Sequence, residues 1–131
     1  MIKKIPIEPA YRKDNGGWNL NTDSLPMPEK FKVKERNLVY IPPGEFGGNH
    51  KHPRWEAFVG VGNDLSIVWK DKQGNRHEDK MMEEANLYLV IVEPFTPHAV
   101  VNRDSSFAVL IELADSVQHD VERSEVLDGN S

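Results

Sequence analysis

The sequence predicts an all-β protein, an antiparallel jelly-roll barrel with little helix. Three observations carry that expectation. Short runs rich in β-branched and aromatic residues succeed one another from Asn37 onward. Clusters of Gly, Pro, Asn and Asp separate them at the spacing typical of a sandwich or barrel. Pairing two sheets is also how an antiparallel chain of this kind manages its strand edges.

Taken in order, residues 2–7 can add an edge strand, because Pro6 and Pro9 suit an edge better than a sheet centre. Asn15-Gly16-Gly17 and Leu25-Pro26-Met27-Pro28 are turn signals, so the first third reads as irregular. Leu38-Val39-Tyr40-Ile41 is a strand stopped by Pro42-Pro43-Gly44. Residues 55–61 form the next, and Gly62-Asn63 can take the positive φ of a tight hairpin. Residues 64–70 put Leu65, Ile67 and Trp69 on one face before a turn centred on Gly74-Asn75. Residues 79–85 are the one helical stretch, with a turn as the alternative. Residues 87–92 are a continuous apolar run, as in a buried strand. A short strand at 99–102 precedes the alternation of Phe107, Val109, Ile111 and Leu113. The polar tail, 115–131, has weak helical spacing at Val117, Val121 and Val126 and either packs on the barrel or frays. The chain, 1–131, reads as one domain with a barrel core at about 38–113.

Composition narrows the function classes. The chain has 131 residues and no cysteine, which excludes disulfides, thiolate-bound zinc and thiol nucleophiles. A formal charge of −5, spread along the chain, argues against a nucleic-acid surface. No stretch has the roughly 20 apolar residues of a membrane span, and no apolar run near the N-terminus is long enough for a signal peptide. A soluble cytoplasmic protein is expected.

Most of the chemistry lies in Gly44-Glu45-Phe46-Gly47-Gly48-Asn49-His50-Lys51-His52-Pro53-Arg54-Trp55-Glu56. His50 and His52 leave the same face of a strand, and Glu56 shares their parity. His98, in Pro94-Phe95-Thr96-Pro97-His98, is the natural fourth donor. Imidazole suits zinc, iron, nickel, copper or manganese, and one carboxylate moves the preference towards harder divalent ions. Three imidazoles and one carboxylate leave coordination positions open for substrate or water. His77 and His119 lie in polar stretches and read as surface.

Gly44, His50, His52 and Glu56 at this spacing resemble the first motif of the cupin superfamily. His98 and Asn102, with Pro94, resemble the end of its second. The resemblance spans residues 38–113 and implies a double-stranded β-helix with His50, His52, Glu56 and His98 as ligands of a divalent transition metal. Three positions depart from the pattern. Asn63 stands where a glycine is usual, with Gly62 just before it. Phe95 replaces the glycine three residues before the histidine, and a more distant upstream glycine has no counterpart. Gly48-Asn49-His50-Lys51-His52 followed by Glu56-Ala57-Phe58-Val59, with the ending at residues 107–114, is similar to cupins of nucleotide-sugar and surface-polysaccharide metabolism. That similarity implies a small-molecule substrate, a sugar or sugar derivative, with isomerisation, epimerisation or reduction-linked chemistry, the metal acting as Lewis acid, and a homodimer. An iron-dependent, dioxygenase-type cupin and a non-catalytic binding module are the alternatives.

Parity extends the inward face to Phe58 and Gly60. Gly60 either leaves room for a ligand or marks a close crossing. Tyr40 and Trp69 either form a pocket wall with Phe58 or belong to the core, and Phe95 either shapes the rim or forms a wall. Arg54, of opposite parity, is expected outside or at an interface rather than in the site. Glu45 and Lys51 read as surface charges, and no residue stands out as the proton-transfer group.

Overall fold

The computed structural model describes residues 1–9, 11–84, 86–124 and 126–127. Its strands are β1 (Ile2–Ile7), β2 (Tyr11–Arg12), β3 (Trp18–Asn19), β4 (Glu35–Ile41), β5 (Phe46–Lys51), β6 (Glu56–Val61) and β7 (Leu65–Lys70), followed by β8 (Arg76–Lys80), β9 (Met82–Glu83), β10 (Asn86–Val92), β11 (His98–Asn102), β12 (Ala108–Ala114) and β13 (Glu122–Arg123). One sheet runs β1-β10-β6-β12-β4, with β9 beside β10; the other runs β13-β5-β11-β7-β8. Every pairing is antiparallel. This is the jelly roll that the strand pattern predicts. Among the described residues the only helix is a short 3-10 turn at Thr22–Ser24, and none is long and apolar enough to cross a membrane.

Apolar side chains are sorted into three layers by strand parity. Phe58, Leu65, Ile67, Trp69, Val90, Val92, Val100 and Leu110 fill the space between the sheets. The outer face of the larger sheet (Ala57, Val59, Leu89, Ile91, Leu113) is covered by Leu25 and Phe31, with Trp18, Leu20 and Met27 against them. The irregular first third is therefore a lid over that face. The tail covers part of the smaller sheet, burying Val126 and Leu127 on Val68, Ala99 and Val101.

The stretch considered helical at 79–85 is extended instead. Asp79 and Lys80 close β8 opposite Ile67 and Ser66, and Met82 and Glu83 pair with β10. Met81 turns fully inside between them, so burial of one methionine and ladder hydrogen bonds outweigh helical propensity. Ala85 lies outside the described residues.

Gly60 proves to be a close crossing of packed side chains. A Cβ there would lie 2.5 Å from Leu65 Cδ2 and 3.4 Å from Met81 Cβ, both residues being fully buried. Gly60→Ala should cost about 1–3 kcal/mol by overpacking. Urea unfolding should show a lower midpoint at an unchanged slope.

Candidate metal centre

The site joins the two sheets. His50 in β5 and His98, which opens β11, belong to the smaller sheet, and His52 lies just beyond the end of β5. Glu56 opens β6 in the middle of the larger one, between β10 and β12. Metal-binding atoms of the four side chains all lie within 4.8 Å of one another. His52, Glu56 and His98 are buried, and His50 is half-buried.

A β-bulge turns His50 inward. Gly47 and Gly48 pair with Val100 and Ala99, but His50 pairs with His98, leaving Asn49 as the extra residue. Asn49 has φ 74°, in the left-handed region that Asn tolerates better than most residues. Without the bulge, His50 would share the outward parity of Phe46 and Gly48. The displaced Asn49 side chain is used outside the barrel, where its Oδ1 accepts hydrogen bonds from the amides of Val126 (2.7 Å) and Leu127 (3.2 Å).

The ligand atoms are arranged as donors to a cation. His98 Nδ1 lies 2.8 Å from the carbonyl of Thr96, which assigns its proton to that nitrogen and turns Nε2 inward as the acceptor. Glu56 Oε1 is 2.8 Å from His52 Nε2 and 3.0 Å from His98 Nε2. These contacts lack hydrogen-bond geometry, and His52 Nε2 and Glu56 Oε1 are buried without a hydrogen-bond partner. A buried pair of this kind is costly unless something else satisfies it. Burial pushes the His50 imidazole down to about 4, helped by the charges of His98 and His52 and opposed by that of Glu56. Burial opposes ionisation of Glu56, yet the adjacent imidazoles outweigh it and hold its carboxyl below the usual range. Neutral imidazoles and an ionised carboxylate are the forms that bind metal, so the four side chains could hold a divalent ion.

Arg54 corrects the expectation from parity. It is buried, and its Nη2 (2.8 Å) and Nε (3.2 Å) both donate to Glu56 Oε2. Its Nη1 donates to Glu35 Oε1 and the carbonyl of Ser116, and Nη2 also reaches Glu112 Oε1. The alternation fails because β5 ends at Lys51 and the chain bends through residues 52–55 before β6 begins. Arg54 thus fixes one oxygen of Glu56 and leaves the other for the histidines.

A cavity of about 80 Å³ adjoins the cluster, lined by Val39, His50, Phe58, His98, Val100, Leu110 and Glu112, with Gly47 and Gly48 at its edge. Of the four expected wall residues, only Phe58 lines it. Tyr40 is exposed and stacks on Phe107, since its neighbour Val39 takes the inward position on β4. Trp69 is core, with Nε1 donating to Asp79 and its ring stacked on His77. Phe95 projects into a separate surface cleft beside Met1 and Lys70. Its φ of 63° shows why glycine suits that bend, and its amide donates to the carbonyl of His52. Asn102 ties loops together through the carbonyls of Ile41, Pro42 and Ser106. Glu112 was absent from the sequence-based candidates. Its signal was available as a lone acid in the apolar run of residues 107–114.

No protein-family model matches the chain, and no curated protein matches it. Solved structures do. A dTDP-sugar isomerase from Desulfovibrio desulfuricans superimposes with TM-score 0.70 at 17% identity, over 99% of this chain and 83% of that one. QdtA, a sugar 3,4-ketoisomerase from Thermoanaerobacterium thermosaccharolyticum in complex with TDP, gives 0.66 at 14% identity, over 94% and 88%. CapF, a capsular polysaccharide assembling protein of Staphylococcus aureus, gives 0.62 at 21% identity over 70% of this chain. The chain spans only 28% of CapF. All three are cupin-fold proteins. This chain has the cupin fold.

Within this fold, Arg54 is predicted to be as important to stability as any apolar core residue. Arg54→Ala would leave the buried carboxylate of Glu56 facing the half-buried ones of Glu35 and Glu112 and should cost about 3–5 kcal/mol in chemical denaturation. Arg54→Lys should recover only part, since an ammonium cannot bridge the three carboxylates with a planar fork.

Proposed function

We propose that this cupin is a metal-dependent enzyme that isomerises or epimerises a nucleotide-linked sugar. The observation that carries the reading is the convergence of His50, His52, Glu56 and His98, with His52 Nε2 and Glu56 Oε1 left without hydrogen bonds inside the barrel. Likeness along nearly the whole chain to a dTDP-sugar isomerase and to QdtA supports the substrate class. A variant of QdtA has been captured with TDP-4-keto-6-deoxyglucose, which makes that compound the natural first probe.

When bound, a divalent ion would act as a Lewis acid that polarises a substrate carbonyl. The protein's own groups do the remainder. Thr96 orients His98, Arg54 orients Glu56, and Val39, Phe58, Val100 and Leu110 keep the cavity apolar. Pockets that enclose a whole ligand usually hold about 300–1,000 Å³. The cavity of about 80 Å³ therefore admits only the reacting part of the sugar, and the nucleotide lies outside the barrel.

Elemental analysis of protein purified without chelators should find about one transition metal per chain. The double substitution His50→Ala and His98→Ala should abolish it. Unchanged metal content in that variant would sink the ligand assignment. With TDP-4-keto-6-deoxyglucose, the metal-loaded protein should give an isomeric keto-sugar by NMR, and chelation should stop the conversion. Tight binding without conversion would make the protein a binding module instead.

A further inference from the structure

We infer that Glu112 is the proton-transfer residue of this site, a carboxylate that lines the reaction cavity beside His50 and His98. The inference rests on the isomerase reading above and supplies the group that reading lacks. Strand β12 carries Ala108, Leu110 and Glu112 on its inward face, while Leu113 packs on the outer layer with Ile111 against it. Glu112 is the one carboxylate among the residues lining the cavity. It pairs across the ladder with Phe58, whose ring lies 5.8 Å from that of His98.

Its two oxygens are unequal. Oε1 accepts from Arg54 Nη2 at 3.2 Å and from Asn37 Nδ2 at 3.1 Å. Among the described residues, no hydrogen bond reaches Oε2. The Glu112 side chain keeps 19% of its surface exposed, so this oxygen needs no protein partner. Here one oxygen anchors the group and the other remains available to a substrate. Burial raises the Glu112 carboxyl above its usual range, as does the charge of Glu56, against the pull of Asn37 and Arg54.

For an α-hydroxyketone the electron count closes without a further reagent. Glu112 takes the proton from the carbon that bears the hydroxyl. The C–H pair becomes a carbon–carbon double bond, and the carbonyl π pair moves onto oxygen. The protonated Glu112 then returns its proton to the former carbonyl carbon, where the double-bond pair forms the new C–H bond. The hydroxyl proton passes to the other oxygen, and its O–H pair completes the new carbonyl. One carboxylate serves both carbons, and the protein ends as it began.

The test follows wash-in of deuterium at the carbon beside the carbonyl, by NMR, using metal-loaded protein and TDP-4-keto-6-deoxyglucose in deuterium oxide. Glu112→Gln should slow wash-in by about 10²–10⁴-fold, with metal affinity unchanged by titration. Glu112→Asp should restore part of the rate. Exchange at the wild-type rate in Glu112→Gln would overturn the assignment while leaving the isomerase reading in place. Loss of metal affinity in Glu112→Gln would also overturn it, assigning the residue to the Arg54 cluster as a structural member. Absence of exchange in the wild-type protein would remove the isomerase reading and this assignment together.

Discussion

The carboxylate of Glu56 is divided between two sets of partners. Oε2 receives the fork of Arg54, and Oε1 faces the imidazoles of His52 and His98. Because Glu56 stands in one sheet and His50 and His98 in the other, this one side chain ties the sheet packing to the chemistry of the site. Arg54 is ion-paired to three carboxylates, those of Glu35, Glu56 and Glu112. Three negative charges against one positive leave two in excess when all are ionised. Such an excess in a partly buried cluster is unfavourable unless compensated nearby. A divalent cation at Oε1 has the charge required and the position.

The bulge at Asn49 is the second constraint. A regular strand could give either an inward His50 or an outward Phe46 and Gly48 in register with β11, but not both. One extra residue in the left-handed region resolves the conflict, and Gly48 beside it has φ 92°. A Cβ on Gly48 would come within 3.1 Å of the His98 carbonyl, so close approach of β5 to β11 also depends on its absence. The same bulge sends the Asn49 amide outward to hold the tail. Inside and outside of the barrel are thereby coupled through one residue next to a candidate ligand.

How much of this was legible in the sequence depends on whether a residue's position follows from regular alternation. Leu65, Ile67 and Trp69 lie in a regular strand and fall where parity places them. His50, His52, Glu56 and His98 were recognisable because metal donors are chemically distinctive and their spacing survives local irregularity. Arg54 was misread because the chain bends between β5 and β6, so counting by twos does not run through it. Tyr40 was misread for the opposite reason. Its strand is regular, but nothing in Leu38-Val39-Tyr40-Ile41 says which of two apolar faces is inward. Phe95 depends on a backbone conformation that its side chain gives no sign of. Glu112 was legible in principle, as an acid within an apolar strand on the parity of Leu110.

The geometry around Glu56 bears on why the site is built across the two sheets. Locally, the cluster conflicts with the rest of the fold, since orphaned polar atoms lie at the centre of a barrel whose apolar layers are otherwise well filled. Sequences that specify one structure tend to violate local rules only where function requires it. A cation bound there would satisfy Oε1 and the imidazoles together, and it would bind the folded chain far better than the unfolded one. Its binding energy would then add directly to the free energy that holds β6 against β5 and β11. The centre is thus both the least satisfied point of the protein alone and the point where a ligand would stabilise it most. This coincidence follows from placing three donors on or just beyond one sheet and the fourth on the other.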